Sequence, residues 1–184
     1  MTKNLTGKKI AILVTNGFEQ VELTDPKAAL EKAGAKVDII SPEKDKVKGW
    51  KHTEWGDEFK VDVLLDDADP TQYDALLLPG GVINPDKLRL NDEAINFVKR
   101  MNQANKPIAA ICHGPWLLIN AGIVKDRKLT SWPSIKLDLI NAGAKWHDAE
   151  VIRDLNLVTS RKPEDIPAFN EEIINVFSEE LIPS

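Results

Sequence analysis

Cys112 is the single cysteine of the chain, and it stands in the run Pro107-Ile108-Ala109-Ala110-Ile111-Cys112-His113-Gly114-Pro115-Trp116. A short apolar stretch stops at the cysteine, then glycine and proline precede an apolar helical pattern. The segment reads as strand, tight turn and helix. Unpaired backbone N–H groups and the positive end of a helix dipole at such a turn favour thiolate over thiol. They bring a cysteine from a free pKa of about 8.5 into a range of roughly 3.5 to 7.5. A lone cysteine is more often a small buried hydrophobe, but the turn and the adjoining histidine argue for a nucleophile.

Other side chains and backbone groups complete a candidate constellation. Glu19 directly follows the first apolar run, so its carboxyl is expected to face the same crevice as Cys112. Held protonated there, it would donate a hydrogen bond to sulfur; ionised, it would repel a thiolate. Glu22, one helical turn further on, is a rival for that role. His113 is the base by type, although adjacent side chains diverge and its orienting acid must come from elsewhere. Gly81 and the backbone of His113 are expected to supply N–H donors to an oxyanion. Trp116 is the tryptophan expected to wall the pocket. His52 and His147 lie in polar stretches, and neither they nor the cysteine show metal-ligand spacing, so no metal and no cofactor is expected.

These groups must be positioned by a sheet. Ile10 to Val14 is an apolar run of the kind buried on both faces of a parallel strand. It ends at Asn16-Gly17, and a helical pattern follows from Glu19 to Ala33, with a bend or restart expected near Pro26. Further strands are expected at Lys36 to Ser41, Asp62 to Leu65 and Tyr73 to Leu78, with a hairpin around Trp50 and Trp55 between the first two. The last of these strands ends in Pro79-Gly80-Gly81. A helix from about Asn91 to Gln103 carries Ile95, Val98 and Met101 on one face. Beyond Cys112 come helical patterns at Trp116 to Ile123 and Ser134 to Ala142, a pair of short strands, and a last helix from about Asp165. Strands alternating with helices predict a three-layer α/β fold around a mostly parallel sheet. In such sheets the ligand crevice lies at the carboxyl ends of the strands, where Asn16 to Glu19, Gly80 to Asp86 and Cys112 to Pro115 should converge.

At 184 residues the chain is expected to form one domain, 1–184. A hydrophobic share of 42% with 29% charged residues is ordinary for a globular protein, and no apolar run approaches the ~18 residues of a membrane span. The segment Met1 to Gly7 has no apolar signal core, so a cytoplasmic location is expected. The net charge of -5 and the absence of a dense basic cluster argue against nucleic-acid and membrane partners. A flavin or nucleotide site is disfavoured because the first loop offers a carboxylate to a phosphate and has no matching glycine pattern.

Asn16-Gly17-Phe18-Glu19, Leu78-Pro79-Gly80-Gly81, Ala110-Ile111-Cys112-His113-Gly114-Pro115 and Ser160-Arg161-Lys162-Pro163-Glu164-Asp165 together resemble the PfpI family, over about Lys9 to Phe177. The resemblance implies a flavodoxin-like, glutamine-amidotransferase-related fold, with Cys112 as nucleophile and Glu19 as its protonated partner. It also implies that His113 is oriented by an acid from a neighbouring subunit in the loop after Gly-Gly, where this chain has Asp86, and hence a homo-oligomer, dimer or hexamer. Amidotransferases of that fold carry a late His-x-Glu pair that Arg161-Lys162-Pro163-Glu164 lacks. Trp116 stands where glutamine is common, and Asp86 where some members have glutamate.

The expected function is that of a stress-protective cysteine enzyme acting on reactive carbonyls, glyoxals or early glycation adducts, as small aldehydes or on damaged protein. Peptide hydrolysis is the alternative enzymatic reading. A redox sensor or holdase using an oxidisable Cys112 is the reading of a different class.

Overall fold

The structure is a computed structural model and describes residues 3–180. Seven strands form the central sheet in the spatial order Val151–Asp154, Leu157–Ser160, Ile108–Ile111, Ala75–Leu78, Lys9–Leu13, Lys36–Ser41 and Val63–Leu64. Every neighbouring pair is parallel except Val151–Asp154 with Leu157–Ser160.

Alternation along these strands divides the interior in two. Ala11, Leu13, Leu76, Leu78 and Ala110 pack with Phe97, Val98 and Met101 of the helix Asp92–Gln103. Ile10, Ile12, Leu77, Ala109 and Ile111 pack with Leu23 and Leu30 of the helix Gln20–Lys32 and with Phe169 and Ile173 of the helix Ile166–Ser178. Helices therefore cover both faces. This is the α/β architecture with a mostly parallel sheet that the strand and helix patterns predict.

Chain order reverses between Lys9–Leu13 and Ala75–Leu78, and the ligand crevice of such a sheet forms at that point. The first loop, the Gly80-Gly81 loop and Cys112 leave the carboxyl ends of three adjacent strands, so they meet without any long excursion of the chain. A smaller sheet of Phe18–Glu19, Lys46–Lys51 and Glu54–Lys60 stands beside them. Gln20 pins it, accepting from the Asp57 N–H at 2.8 Å and donating to the Asp57 carboxylate at 2.8 Å.

Three local expectations change. The segment after Gly81 is not an extended loop: Ile83–Leu88 is a helix. Its Asn84-Pro85 pair resembles a turn signal, but a proline in the first turn gives up an N–H that has no helical partner anyway. The helix after Cys112 is only Trp116–Asn120, because Gly122 turns the chain at a φ of +71°. The helix Gln20–Lys32 runs unbroken through Pro26, whose missing N–H leaves the Glu22 carbonyl without its usual donor four residues on.

Asn84 locks the crevice together. Fully buried, it accepts from the Thr15 N–H at 2.8 Å and donates to the carbonyls of Pro79 and Gly80 at 3.1 Å each. One side chain thus joins the first loop to the Gly-Gly loop. Asn84→Ala strands buried backbone groups and should cost about 2–4 kcal/mol in urea denaturation; a loss under about 0.5 kcal/mol would show that the loops are held otherwise.

Candidate active site

Cys112 occupies the turn that follows Ile108–Ile111, and its backbone takes a φ of +63°. A non-glycine residue in this left-handed region is strained by about 1–2 kcal/mol. The surroundings hold it there. Its N–H donates to the Ser160 carbonyl at 3.1 Å, its carbonyl accepts from the Trp132 N–H at 3.0 Å, and the Gly114 N–H closes the turn on the Ile111 carbonyl at 2.9 Å. Gly114 is required by close approach, since a Cβ there would lie 2.6 Å from the Leu78 carbonyl oxygen.

The carboxyl against the thiol is that of Glu22. It is fully buried, and its Oε1 accepts from the Gly80 N–H at 2.9 Å. Its Oε2 has no conventional hydrogen-bond partner and is left to interact with the Cys112 thiol, to which Glu22 is coupled. A Cβ on Gly80 would lie 2.7 Å from the Cys112 Cβ and 2.8 Å from Glu22 Oε1, so glycine is what allows the three to close. Burial, with some repulsion from Glu19, raises the Glu22 carboxyl to a pKa of about 8. At neutral pH it keeps its proton.

Glu19, the carboxyl expected in this role, instead flanks the mouth of the crevice. Its Oε1 accepts from the His52 N–H at 3.2 Å and lies 3.7 Å from His52 Nδ1. The helix begins at Gln20, which leaves Glu19 at the cap while Glu22, a turn later, rotates inward.

Burial also decides the thiol. With a five-residue helix beyond it and an apolar enclosure, the Cys112 pKa is pushed up, first by desolvation and then by the Glu22 carboxyl. The backbone N–H groups of Gly81 and His113 pull it back down by donating to sulfur, so the two groups expected as oxyanion donors lie beside the thiol. The lowered resting pKa expected at a helix N-terminus is therefore not what this site has. The raised pKa favours the protonated thiol.

A group able to accept that proton lies beside it. His113 Nδ1 lies 3.2 Å from Cys112 Sγ, so the adjacent side chains converge. Burial lowers the His113 pKa to about 4, only partly offset by the carboxylate of Asp138, and the ring is neutral at pH 7. Its Nε2 lies 3.4 Å from Ser134 Oγ. Trp132 stacks on the ring at 6.0 Å and 24°, while Trp116 meets it edge-on at 5.0 Å.

Above these groups opens a cavity of about 640 Å³ whose lining includes Glu19, Glu22, Trp50, His52, Gly81, Cys112, His113, Trp132, Lys162 and Glu164. Trp116, expected as a pocket wall, does not line it. Its Nε1 donates to Asp138 at 2.9 Å and Arg89 lies over its ring, so it braces His113 from outside. Asp86 sits in the first turn of Ile83–Leu88, exposed and outside the cavity of its own chain. Lys162 and Glu164 are carried in by a turn that Arg161 anchors, donating to both oxygens of Asp165 at 2.9 Å each.

The raised Glu22 pKa has a sign that can be checked. In the unfolded chain the carboxyl ionises near 4.5, but the fold keeps the proton to about 8. The unfolded state therefore binds fewer protons in between, and stability falls as pH rises from about 4.5 to 8. Glu22→Gln should raise unfolding stability at pH 7 by up to about 3 kcal/mol and by little at pH 4.5. An equal difference at both pH values in urea denaturation would exclude a buried, protonated Glu22.

The chain is similar to known proteins over nearly its whole length. The family model described as the DJ-1/PfpI family matches residues 8–176. General stress protein 18 of Bacillus subtilis is 48% identical over 169 residues, covering 90% of this chain and 95% of its own. Deglycase PfpI of Pyrococcus furiosus is 45% identical over 168 residues, covering 91% and 98%. Among solved structures, a two-domain Anabaena variabilis protein with DJ-1/ThiJ/PfpI-like and ferritin-like domains superposes with a TM-score of 0.86 at 34% identity. That match covers 91% of this chain and 47% of the other, so the chain spans about half of that protein. Drosophila melanogaster DJ-1beta superposes with a TM-score of 0.85 at 26% identity, covering 94% and 91%. The chain belongs to the DJ-1/PfpI family.

Proposed function

We propose that the chain is a cysteine enzyme acting on reactive carbonyls, α-oxoaldehydes and the early adducts they form on proteins. The observation that carries the reading is the Cys112 thiol at the floor of the cavity, 3.2 Å from the Nδ1 of a neutral His113 and facing a buried carboxyl that keeps its own proton. Deglycase PfpI, a relative that covers nearly the whole chain, supports the substrate class by its name.

The arrangement suits addition to an aldehyde. As the Cys112 S–C bond forms, His113 Nδ1 takes the thiol proton, and the carbonyl π electrons move to oxygen, which receives that proton to give a hemithioacetal. Glu22, protonated, donates toward sulfur and so lowers the charge that the thiol must carry in transit. For an α-oxoaldehyde, neutral His113 then removes the proton from the carbon bearing sulfur and returns one to the neighbouring carbon. The hemithioacetal becomes a 2-hydroxy thioester, which water hydrolyses to a 2-hydroxy acid with release of the thiol. The sequence consumes only water, so no oxidant or cofactor is needed. General acid–base help of this kind is worth about 10²–10⁴ in rate, and His113 is the group that supplies it.

Cys112→Ala should abolish methylglyoxal consumption, Glu22→Gln should reduce kcat/KM by about a hundredfold, and Glu19→Gln should reduce it less than about fivefold. A Glu19 effect larger than that of Glu22 would return the partner role to Glu19. Unchanged turnover in Cys112→Ala would sink the carbonyl reading, and sulfinic acid at Cys112 after mild peroxide without turnover would favour the sensor. Casein hydrolysis without aldehyde turnover would favour the peptidase.

The pH profile follows from the two shifted groups. Protonating His113 near pH 4 removes the base, and ionising Glu22 near pH 8 sets a carboxylate against the developing thiolate. Activity should therefore be bell-shaped with limbs near those values, and in Glu22→Gln the residual activity should lose the alkaline limb. An alkaline limb that persists in that variant would assign it to another group.

A further inference from the structure

We propose that Glu19 is the general base for hydrolysis of acylated Cys112, accepting a proton from the water that attacks the thioester. The proposal rests on the reading of Cys112 as the nucleophile and adds a residue for the step that releases product.

Release of an acyl group needs a base in a different place from the one that serves the thiol. His113 Nδ1 lies against sulfur at 3.2 Å. Cys112 and Glu22 are buried at the floor of the cavity, so water reaches an acyl carbon from the mouth. A base for that water must stand there, near the acyl group and held in place.

Glu19 meets each requirement. It lines the cavity together with Cys112 and Gly81. It is the N-cap residue of Gln20–Lys32, where a carboxylate ordinarily accepts an N–H of its own helix, yet it makes no such bond. Its Oε1 accepts instead from the His52 N–H at 3.2 Å, and a strand pairing sets its backbone opposite Trp50. Oε2 has no hydrogen-bond partner among the described residues and is not closed off by protein. With the side chain only 12% exposed, that opening is onto the cavity. The Glu19 backbone also packs on the loop that touches the reacting atom. A Cβ on Gly81 would lie 2.7 Å from the Glu19 nitrogen, while the Gly81 N–H reaches the Cys112 sulfur.

Water adds to the acyl carbon as one of its protons passes to Glu19 Oε2, and the carbonyl π electrons move to oxygen beside the Gly81 and His113 N–H groups. When the C=O re-forms, the C–S electrons leave on sulfur, which takes the Glu22 proton. The new carboxylic acid returns a proton to Glu22, and Glu19 releases its own to solvent. Thioester and water thus become thiol, carboxylate and a proton. A peptidase with the same nucleophile would need the same step.

Rapid-quench kinetics with two acyl donors separate acylation from release. With p-nitrophenyl acetate, Glu19→Gln should slow release of acetate by about a hundredfold and acylation far less, giving a burst of p-nitrophenol before a slow steady state. Glu19→Asp should recover part of the release rate. With methylglyoxal, Glu19→Gln should lose kcat, while kcat/KM, which reports only the steps up to the thioester, falls less than about fivefold. Hydroxylamine should trap the accumulated thioester as a hydroxamate, which a hemithioacetal does not form. Equal slowing of acylation and release would overturn the proposal, as would release slowed more by Glu164→Gln than by Glu19→Gln. Aldehyde turnover with release untouched by Glu19→Gln would keep the proposed function and overturn this assignment. A protein that turns over no aldehyde yet releases acetate in a Glu19-dependent step would do the reverse.

Discussion

The site depends on one constraint: Glu22 and Cys112 share a pocket too dry for both to ionise. Burial raises the pKa of each, and the Glu22 carboxyl raises that of Cys112 further. Two unprotonated groups would place like charges in contact without water, at a cost of several kcal/mol. The pair therefore keeps at least one proton, and the close packing of Gly80, Glu22 and Cys112 follows from it. Any side chain on Gly80 would separate the two groups and admit solvent between them. The neutral His113 has the same origin, since burial that disfavours a thiolate disfavours an imidazolium as well.

Much of the fold is legible from pattern. Runs such as Ile10 to Leu13 and Ala75 to Leu78 are apolar on both faces because helices cover both sides, and a strand buried in this way leaves little ambiguity. The helix Asp92–Gln103 announces itself through Ala94, Ile95, Val98 and Met101 on one stripe, with Asn91 capping it by accepting from the Ala94 N–H. Less legible are short elements whose ends are fixed by tertiary contacts. Ile83–Leu88 is such a case: the Asn84 side chain that reads as a turn former spends its polar groups on two neighbouring loops.

The convergence of Cys112, His113 and the Gly-Gly backbone on one crevice was legible in the sequence. Choosing between Glu19 and Glu22 needed the phase of the helix. Glu22, Pro26 and Leu30 are spaced by four and fall on the buried stripe with Leu23; a glutamate on that stripe is the signal that points to it. Trp132, Lys162 and Glu164 reach the cavity from segments remote in sequence, and Ser134 approaches His113 across 21 positions. No local pattern encodes such distances, and the tryptophan next to Cys112 in sequence was the natural but incorrect choice of wall. Helical geometry carries Trp116 behind the imidazole, where its indole N–H finds Asp138.

Among the described residues, the buried side-chain polar atoms away from the site, Thr130 Oγ1 and Asn170 Oδ1 apart, have partners. The Tyr73 hydroxyl donates to Asp38 at 2.8 Å, and Arg161 clamps Asp165. Around Cys112 three costly features meet: a non-glycine residue at a φ of +63°, a carboxyl held neutral with one oxygen unpartnered, and a histidine stripped of its charge. Each costs stability, and structure that over-determines such features is expected where function requires them. The strained backbone has a cause separate from the two shifted pKa values, which share burial as theirs, and both kinds of cost fall within touching distance of one thiol.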